Sequence, residues 1–428
     1  MKTKIADLNV LYVAYKASME GSSWKEEPQR FEIDFLSELV KLKKEIEERT
    51  YKTSPGSTFI HTERGKKRLI HGARMRDRVI RHALCDNILN PALKPYLIYN
   101  NGASQKGKGI SFARRMFEQD LHNYWIEHRS NEGFIGFVDL SKFYDNMQHD
   151  KIREVVCPKL TEEASWLLSD ILTTFEVDVS YMTDEEFEHC LEKKFDSIAY
   201  HEKIPEGLRT GEKKMPKSVD IGDQVSQDIG VFYPTPLDNY AKIVRGCRYY
   251  GRYMDDIYVI GETREEVGSV IEGLCEQAAD LGLFINEKKT HIVKLSDNFK
   301  YLQIRYTLTE TGRVIRRINP KNVTRERRKL KAYKRLLDRG EIEYEDIELS
   351  FMSWLGDAFK YMSNQQIDNM LNLYHELFGR IPQWRKHSRL RYRTALLLRI
   401  WSSTETTTSQ RKRSQLMTSR ASSATSRS

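Results

Sequence analysis

Cysteine is scarce in this sequence of 428 residues and is not arranged for cross-linking or metal binding. The five cysteines are odd in number, scattered, and free of any C-x-x-C pair: Cys85, Cys157, Cys190, Cys247 and Cys275. A disulfide framework or a zinc module needs paired or closely spaced cysteines, so neither is indicated. The pattern predicts a protein of a reducing compartment, the cytoplasm.

Long apolar stretches are also missing. No run approaches the roughly 18 apolar residues of a membrane-spanning helix, and we expect no membrane partner. Charges at Lys2, Lys4, Asp7 and Lys16 interrupt the N-terminal stretch, so no apolar core of a signal peptide is expected there. The sequence shows no internal repeat.

Positive charge, in contrast, is present in surplus and concentrated in one place. The formal net charge is +9, from 70 Lys and Arg against 61 Asp and Glu. Residues 300–339 alone carry 14 Lys and Arg against 3 Asp and Glu. A solvated helix face or a membrane surface would accept such a cluster. A polyanion-binding surface explains it better, because nothing nearby neutralises it and no amphipathic Trp/Leu face accompanies it.

Residue patterns predict a mixed chain of helices and strands, long enough for two or three packed subdomains. The predicted elements are a helix over Phe31–Thr50, a β-hairpin over Tyr51–Ile70 with a basic turn at Arg64–Arg68, a helix over Arg76–Leu89, and a helix that a Thr263–Glu266 capping box opens and Gly282 closes. The first helix is expected to bury one face: Phe35, Leu36, Leu39, Val40 and Ile46.

Two regions predict less regular structure. Pro158–Asp220 is acidic around Asp184–Glu188 and rich in Pro, Gly and Lys from Pro205 to Lys217, which indicates a loop or an insertion. From Ser402 onward the chain is rich in Ser, Thr and Arg and almost free of apolar residues, which predicts a disordered tail.

Three aspartates occupy positions suited to metal-dependent chemistry. Asp139 ends the apolar, strand-like run Phe134–Asp139, and Asp255 and Asp256 form a tight corner between two further strand-like runs. Each alone would be an ordinary turn or cap residue. Grouped on rigid neighbouring strands, they would offer the hard oxygen ligands that two Mg²⁺ ions need while a 3′-hydroxyl attacks an α-phosphate.

The combination of these segments resembles reverse transcriptases of the bacterial lineage that includes group II introns, retrons, diversity-generating retroelements and defence-associated enzymes. The resemblance rests on Tyr253-Met254-Asp255-Asp256 and on Asp139 with an aromatic residue, Tyr144, five positions later. It runs from about Leu8 to Phe378. It implies an α+β, right-hand polymerase fold, with fingers and part of the palm at 1–130, palm at 131–318 containing an insertion near 158–220, a helical basic thumb at 319–400 and a disordered tail at 401–428.

The resemblance also implies roles for the residues of the candidate site. Asp139 and Asp255 resemble the ligands of both Mg²⁺ ions, for which Mn²⁺ is a substitute, and Asp256 resembles a third, more peripheral carboxylate. Tyr144 falls at the steric-gate position, where a ring under the sugar clashes with a ribose 2′-hydroxyl. Its alternative is an ordinary core tyrosine.

Several basic residues resemble the groups that hold the substrates. Arg68 resembles the finger arginine that grips the incoming triphosphate, with assistance from Lys66 or Lys67; a solvated basic turn is the alternative for the lysines. Three helical arginines resemble residues along the template path, although salt bridges on a helix surface would explain them almost as well: Arg76, Arg78 and Arg81.

The segment from Gly222 to Gln227 separates branches of the family. Group II intron enzymes usually carry Gln-Gly…Ser-Pro here, whereas Gly222-x-x-x-Ser226-Gln227 resembles the variant of diversity-generating retroelements, which goes with error-prone copying of template adenines. The resemblance implies that Gly222 approaches the nucleotide and that Ser226 and Gln227 lie near the templating pair. A helix start with polar caps is the alternative.

Two further segments resemble parts that hold the duplex. Phe299–Gln303 resembles the primer grip, although Gln303 stands where the family usually has Gly. Lys321–Arg339 resembles a thumb helix that contacts phosphate rather than bases. Its predicted contacts are Lys321, Arg325, Arg327, Arg328 and Lys331.

The resemblance implies DNA synthesis on an RNA template, from a DNA or RNA primer and dNTPs. The setting implied is a diversity-generating or similar domesticated retroelement. The alternative is a defence-associated enzyme that copies a dedicated non-coding RNA, with a helper protein. A catalytically idle nucleic-acid binder would have no use for clustered aspartates. An RNA-templated RNA polymerase usually has a smaller gate residue than Tyr144, and the residues beyond Phe378 are too few for a nuclease domain.

Overall fold

The structure, a computed structural model, describes residues 5–63 and 65–383. These residues form two compact units, 5–297 with 308–314 and 298–307 with 315–383. Arg64, the predicted tail at 401–428 and the end of the predicted 319–400 segment lie outside the described residues. The mixture of helices with antiparallel sheets confirms the α+β class.

The first unit contains thirteen helices and nine strands in the part of the chain described. The helices are α1 (Leu8–Met19), α2 (Glu26–Ile33), α3 (Phe35–Glu47), α4 (Met75–Leu84), α5 (Asn90–Leu93), α6 (Ile110–His128), α7 (His149–Val156), α8 (Glu162–Thr173), α9 (Asp184–Glu192), α10 (Ser197–Lys203), α11 (Gln224–Phe232), α12 (Thr235–Asn239) and α13 (Arg264–Asp280). The strands are β1 (Ser57–Glu63), β2 (Lys66–Gly72), β3 (Phe134–Ser141), β4 (Val177–Asp178), β5 (Lys214–Met215), β6 (Tyr249–Tyr253), β7 (Asp256–Gly261), β8 (Phe284–Ile285) and β9 (His291–Lys294).

The central sheet of this unit has the order β6-β7-β3-β8, and β9 also pairs with β3. Its ladders are antiparallel. β3 lies in the interior of the sheet, which explains its continuous apolar run. A Cβ on Gly136 of β3 would come within 2.7 Å of Val267 and Ile271 of α13. A residue without a side chain therefore lets α13 pack closely on the sheet.

The start of α13 was predicted correctly, but one bond of its capping box was not. Thr263 accepts a hydrogen bond from the Glu266 N–H at 3.1 Å. The Glu266 carboxylate accepts from the N–H of Glu262 at 2.9 Å rather than from that of Thr263. The sequence pattern thus located the helix but not the full cap. Gly282, with φ +69°, follows the helix as expected.

The predicted helix over 31–50 is broken at Asp34 into α2 and α3. Leu39, Leu42 and Ile46 are buried in α3. Leu36 and Val40 are exposed, so their predicted burial was wrong. α1 and α4 cover only one side of the α2–α3 pair, and the residues of α3 that are buried are Leu39, Leu42 and Ile46.

The segment predicted as an insertion has a hydrophobic core of its own. α8 joins the main core of the unit. The remaining part, 174–220, packs α9, α10 and the short antiparallel pair β4–β5 around six buried residues: Val177, Val179, Met182, Cys190, Phe195 and Met215. Pro205–Lys217, predicted as a loop, contains the 3₁₀ turn Glu206–Leu208 and β5. We refer to residues 174–220 as the insertion.

The second unit combines a three-stranded sheet with three helices. Its elements are β10 (Phe299–Tyr301), β11 (Ile304–Leu308), β12 (Val314–Ile318), α14 (Pro320–Asp338), α15 (Tyr344–Ala358) and α16 (Asn364–Phe378). The turn between β10 and β11 consists of Leu302 (φ +43°) and Gln303 (φ +70°). The positive φ of Gln303 is a backbone conformation that glycine adopts readily, in keeping with the glycine usual at that position in the resembled family.

Two predictions from absent features can be compared with the structure. The five cysteines, all within the described residues, are free thiols. Among residues 5–63 and 65–383, no helix has both the length and the apolar character needed to cross a membrane.

Candidate active site

Asp139 lies within β3, two residues before its end, rather than at the tip that the sequence predicted. It is the Cα partner of Asp256 in the β3–β7 ladder. Residues directly opposite in an antiparallel ladder project to the same face of the sheet. The Asp139 backbone is fixed as well, because its carbonyl accepts from the Asn286 N–H at 2.7 Å. The register therefore places both carboxylates side by side.

Asp255 lies in a tight two-residue turn with Met254. Tyr253 pairs with Asp256, which leaves Met254 and Asp255 as the connection between β6 and β7. Met254 has φ +54°, a left-handed conformation uncommon for a non-glycine residue and frequent at functional sites. The Asp255 carbonyl accepts from the Leu140 N–H at 3.2 Å, which ties the turn to β3.

A buried ion pair supports this turn from behind. Arg252 and Asp238 are both fully buried and joined by three hydrogen bonds, Nε to Oδ1 at 2.9 Å, Nε to Oδ2 at 3.1 Å and Nη2 to Oδ2 at 2.7 Å. Arg252 Nη1 also donates to the Met254 carbonyl at 3.4 Å. An isolated buried charge would be costly, but here each has its partner. The pair thus holds the strained turn in place.

Lys289, which the sequence reading missed, places its ammonium among the three carboxylates. Its Nζ lies 2.7 and 2.9 Å from the two carboxylate oxygens of Asp139. Burial lowers the pKa of Lys289. The hydrogen bonds to Asp139 and the charges of Asp139, Asp255 and Asp256 outweigh that effect and raise it. A lysine in the short turn after β8 carries no local signal of this position.

The pKa of Asp255 is raised, first by burial and then by the negative charge of Asp139. The charges of Lys289 and Lys66 oppose that shift. Lys66 belongs to the β1–β2 hairpin, so the hairpin brings positive charge to the carboxylates. Two neighbouring carboxylates of like charge favour a cation between them.

The donor set fits Mg²⁺. Within the described ranges, no three His, Cys, Asp or Glu side chains are grouped so as to hold one metal ion. Mg²⁺, however, is normally held by one or two carboxylates, while phosphates and waters complete its coordination. Asp139, Asp255 and Asp256 supply hard oxygens of that kind, and the Lys289 ammonium already occupies a place where a cation is favourable.

Tyr144 lies against the same turn. Its hydroxyl is 3.9 Å from the Met254 sulfur. Burial and the charge of Asp255 raise the pKa of Tyr144 to about 12, against the opposing effect of Arg68. A Cβ on Gly230 of α11 would lie 3.1 Å from the Tyr144 hydroxyl, so Gly230 leaves room for the ring. The structure therefore brings Tyr144, Asp255 and Arg68 together.

Two of the basic residues on β2 shift the pKa of Tyr144 or Asp255, and the third pairs with the insertion. Arg68 influences Tyr144 and Lys66 influences Asp255. Arg68 is also 3.9 Å from Glu63 across the hairpin. Lys67 instead pairs with Glu202 of α10 in the insertion.

The three helical arginines have protein partners. Arg76 pairs with Glu45, and Arg78 donates to the hydroxyl of Ser22 and the carbonyl of Ser18. Arg81 is 4% exposed and pairs with Asp223. The guanidinium of Arg81 is thus buried by residues far away in the chain and ties α4 to the start of α11, and its template contact stays a prediction.

The Gly222–Gln227 segment begins α11. Gly222 has φ +98°, and Asp223 caps the helix by accepting from the Val225 N–H at 2.9 Å. The alternative of a polar-capped helix start is therefore correct for the local structure. Ser226 is fully buried, and Gln227 accepts from the Ser104 hydroxyl at 3.5 Å. The positions of both residues near the templating pair stay a prediction.

Residues 230–306 match the family model described as Reverse transcriptase (RNA-dependent DNA polymerase). The chain is an RNA-directed DNA polymerase. The matched segment contains the Tyr253–Asp256 turn and Lys289. Asp139 and Tyr144 lie outside it. No curated protein matches the chain significantly.

A polymerase of this kind acts on a nucleic-acid template, a primer and dNTPs. The second unit carries the exposed basic face that was predicted to contact phosphates. The five predicted residues of α14 are all exposed, as is Arg335, whereas Leu330 faces the core of this unit: Lys321, Arg325, Arg327, Arg328 and Lys331. Exposure on one side of a 19-residue helix leaves these charges available to a polyanion.

Proposed function

We propose that this polymerase copies RNA into DNA by two-metal-ion nucleotidyl transfer at Asp139, Asp255 and Asp256. The observation that carries the proposal is the arrangement of these carboxylates around one ammonium, at the point where β3 meets the Met254–Asp255 turn. Asp139 and Asp255 hold both ions and Asp256 lies at the edge. Two Mg²⁺ ions, with Mn²⁺ as a substitute, would activate the 3′-hydroxyl and stabilise the leaving pyrophosphate.

The residues around the carboxylates bind and select the nucleotide. Arg68 presents a planar guanidinium to the triphosphate, and Lys66 adds a second positive charge. Tyr144 lies beneath the sugar and excludes a ribose 2′-hydroxyl by overlap. Asp255 and Arg68 both lie close enough to Tyr144 to shift its pKa, which supports a common substrate for the three.

The architecture is that of a right-hand polymerase. The β1–β2 hairpin and the helices before residue 130 form the fingers, the central sheet forms the palm, and α14–α16 form the thumb. The β10–β11 hairpin is the primer grip. Exposed Lys and Arg of α14 contact the duplex backbone without regard to sequence.

The biological role that we propose is cDNA synthesis within a diversity-generating or similar domesticated retroelement. The Gly222-x-x-x-Ser226-Gln227 pattern favours it. A defence-associated enzyme with a dedicated non-coding RNA and a helper protein is the second candidate, favoured by the separately folded insertion. Sequencing the nucleic acid that copurifies with the protein distinguishes them: a variable-repeat transcript supports the first role, and one invariant small RNA supports the second.

The test of the catalytic assignment is Asp255→Asn, with Asp139→Asn beside it. Asparagine keeps the shape but loses the charge that holds Mg²⁺. Primer extension on an RNA template should fall by at least about 10³-fold, as expected when a metal ligand is lost, whereas RNA binding and the unfolding temperature should stay near wild type. Asp256→Asn should act more mildly. Extension within a fewfold of wild type for Asp255→Asn would refute the metal assignment.

A further inference from the structure

We call residues Lys217–Asp223 the strap. It consists of the last four residues of the insertion and the three residues that lead into α11, and it runs beside the loop that carries Tyr144. The Val219 N–H donates to the Tyr144 carbonyl at 3.0 Å, and the Ser218 N–H donates to the Met147 carbonyl at 3.1 Å. The imidazole of His149 is 2.7 Å from the Ser218 carbonyl. The backbone of the Tyr144 loop is therefore fixed by the strap.

The same strap is bound to the β1–β2 hairpin. The Asp220 carboxylate pairs with His71 on β2, three residues after Arg68. Asp220 is 4% exposed and His71 is half-buried. One position after Gly222, at the N-cap of α11, Asp223 pairs with Arg81 of α4. Adjacent residues of the strap thus contact the Tyr144 loop at Val219 and the Arg68 strand at Asp220.

The strap holds an unfavourable backbone conformation. Ser218 has φ +92°, a backbone conformation that residues with a Cβ rarely adopt. Next to it, Lys217 is fully buried, and its ammonium donates to the carbonyls of Cys190 and Lys193 at 2.9 and 3.0 Å. Strain of this kind persists only where surrounding contacts over-determine the backbone. The insertion supplies those contacts.

We propose that the strap sets the position of the Tyr144 ring relative to the Arg68 strand, and that Asp220 is a positioning residue for nucleotide selection. The inference rests on the roles of Tyr144 and Arg68 in the proposed function. It assigns a task to the insertion, which is to hold the strap in its strained conformation. A strap that merely closed the insertion would affect stability but not the choice between nucleotides.

The first experiment compares Asp220→Asn with Asp184→Asn. Both replace a hydrogen-bonded aspartate by its neutral isostere, but Asp184 is itself exposed, pairs with Lys213, and contacts neither the Tyr144 loop nor the hairpin. In Asp220→Asn, we expect KM for dNTP to rise about fivefold and the dNTP-to-rNTP ratio of kcat/KM to fall, with kcat within about twofold. Asp184→Asn should match wild type.

A second pair of variants separates positioning from simple destabilisation. His71→Asn removes the other partner of the His71–Asp220 hydrogen bond, so Asp220→Asn with His71→Asn should be no worse than either alone. Ser218→Gly relieves the left-handed strain. It should keep or raise the unfolding temperature and still lower the dNTP-to-rNTP ratio, because the strap loses rigidity. Fully additive effects, together with an unchanged ratio in Ser218→Gly, overturn the proposal.

Amide hydrogen exchange provides a readout that does not depend on catalysis. The Val219 N–H, which donates to the Tyr144 carbonyl, should exchange faster in His71→Asn and Asp220→Asn than in Asp184→Asn. If the wild-type protein makes no DNA, the proposed function fails. The exchange rate of the Val219 N–H then decides by itself whether the strap links the β1–β2 hairpin to the Tyr144 loop. If wild type polymerises but Asp220→Asn equals Asp184→Asn in exchange, KM and ratio, the strap has only a structural role.

Discussion

The ammonium of Lys289 lies 2.7 Å from one carboxylate oxygen of Asp139 and 2.9 Å from the other. The Lys289 side chain is 56% exposed, whereas that of Asp139 is 11% exposed. A buried carboxylate is thus neutralised by a cation that reaches in from solvent. Such a side chain can leave without unfolding its surroundings, so Asp139 is both stabilised and kept accessible to a divalent ion.

Lys289→Gln should therefore make the fold dependent on divalent metal. Without the ammonium, the repulsion among the three carboxylates is uncompensated, and the unfolding temperature in EDTA should fall by about 2 °C, since a pair with one exposed partner is worth on the order of 1 kcal/mol or less. Millimolar Mg²⁺ should restore it. Lys288→Gln, the exposed neighbour, is the control. Equal melting of both variants with and without Mg²⁺ would contradict the role.

Tyr144→Ala should admit ribonucleotides. Removing the ring leaves space for the 2′-hydroxyl, and the dNTP should lose some efficiency because its sugar loses a packing surface. We expect the dNTP-to-rNTP ratio of kcat/KM on one primer-template to fall by at least about tenfold, the equivalent of 1.4 kcal/mol. Tyr144→Phe keeps the ring and should keep the ratio. An unchanged ratio in the alanine variant would make Tyr144 a core residue.

The sequence predicted those structural features that depend on residues within a single segment of the chain. The strand before Asp139, the Tyr253–Asp256 turn and α14 follow from patterns within one segment, and they were predicted nearly in place. The grouping of the carboxylates came from resemblance to a family. No periodicity could show that Asp139 and Asp256 would be paired.

What the sequence could not show is where a residue's surroundings come from distant parts of the chain. Arg81 looks like a surface arginine of a basic helix, and its burial results from Asp223, 142 residues later. Ser226 is polar within a capped helix start but is covered by the packing of α11. Leu36 and Val40 share the helical spacing of the buried stripe yet face away from α1 and α4. Lys289 reaches Asp139 across 150 residues.

Charge reversal on α14 should weaken duplex binding without altering its sequence preference. Arg327→Glu with Arg328→Glu removes two exposed cations, and contacts to phosphate release counterions whatever the sequence. The slope of log affinity against log salt should become shallower by about 2 for one contact per residue, or more if the new charges repel phosphate. Lys41→Glu with Lys44→Glu on α3 is the matched reversal. Loss confined to one sequence would exclude backbone contact.

Asp228→Asn should stabilise the fold, and more so at alkaline pH. Burial, with the charges of Asp86 and Asp223, raises the pKa of Asp228 to about 7. Between the unfolded value near 3.8 and about 7, the folded chain keeps a proton that the unfolded chain has released. Stability from this group is therefore full at low pH and is lost as the pH rises through about 7.

The measurement is chemical unfolding of Asp228→Asn and wild type at pH 5 and pH 8. The gain from asparagine should be larger at pH 8, where wild type must bury an ionised carboxylate. Asp178→Asn is the control of opposite sign, because hydrogen bonds from Ser180 and Gly211 outweigh burial and lower the pKa of Asp178. That variant should lose stability near neutrality. A pH-independent gain for Asp228→Asn would contradict the assignment.

The pairing of Asp139 with Asp256 also has a consequence for the folding of the enzyme during its synthesis. β3 is synthesised well before β7 and β9, its partners in the central sheet, so the sheet closes through contacts between distant segments. Such pairings form slowly, because the intervening chain must be ordered before they are gained. A nascent chain that ends before the Met254–Asp255 turn contains Asp139 but neither Asp255 nor Asp256. Truncated products are thus expected to be inert rather than error-prone, and copying begins only once the sheet is complete.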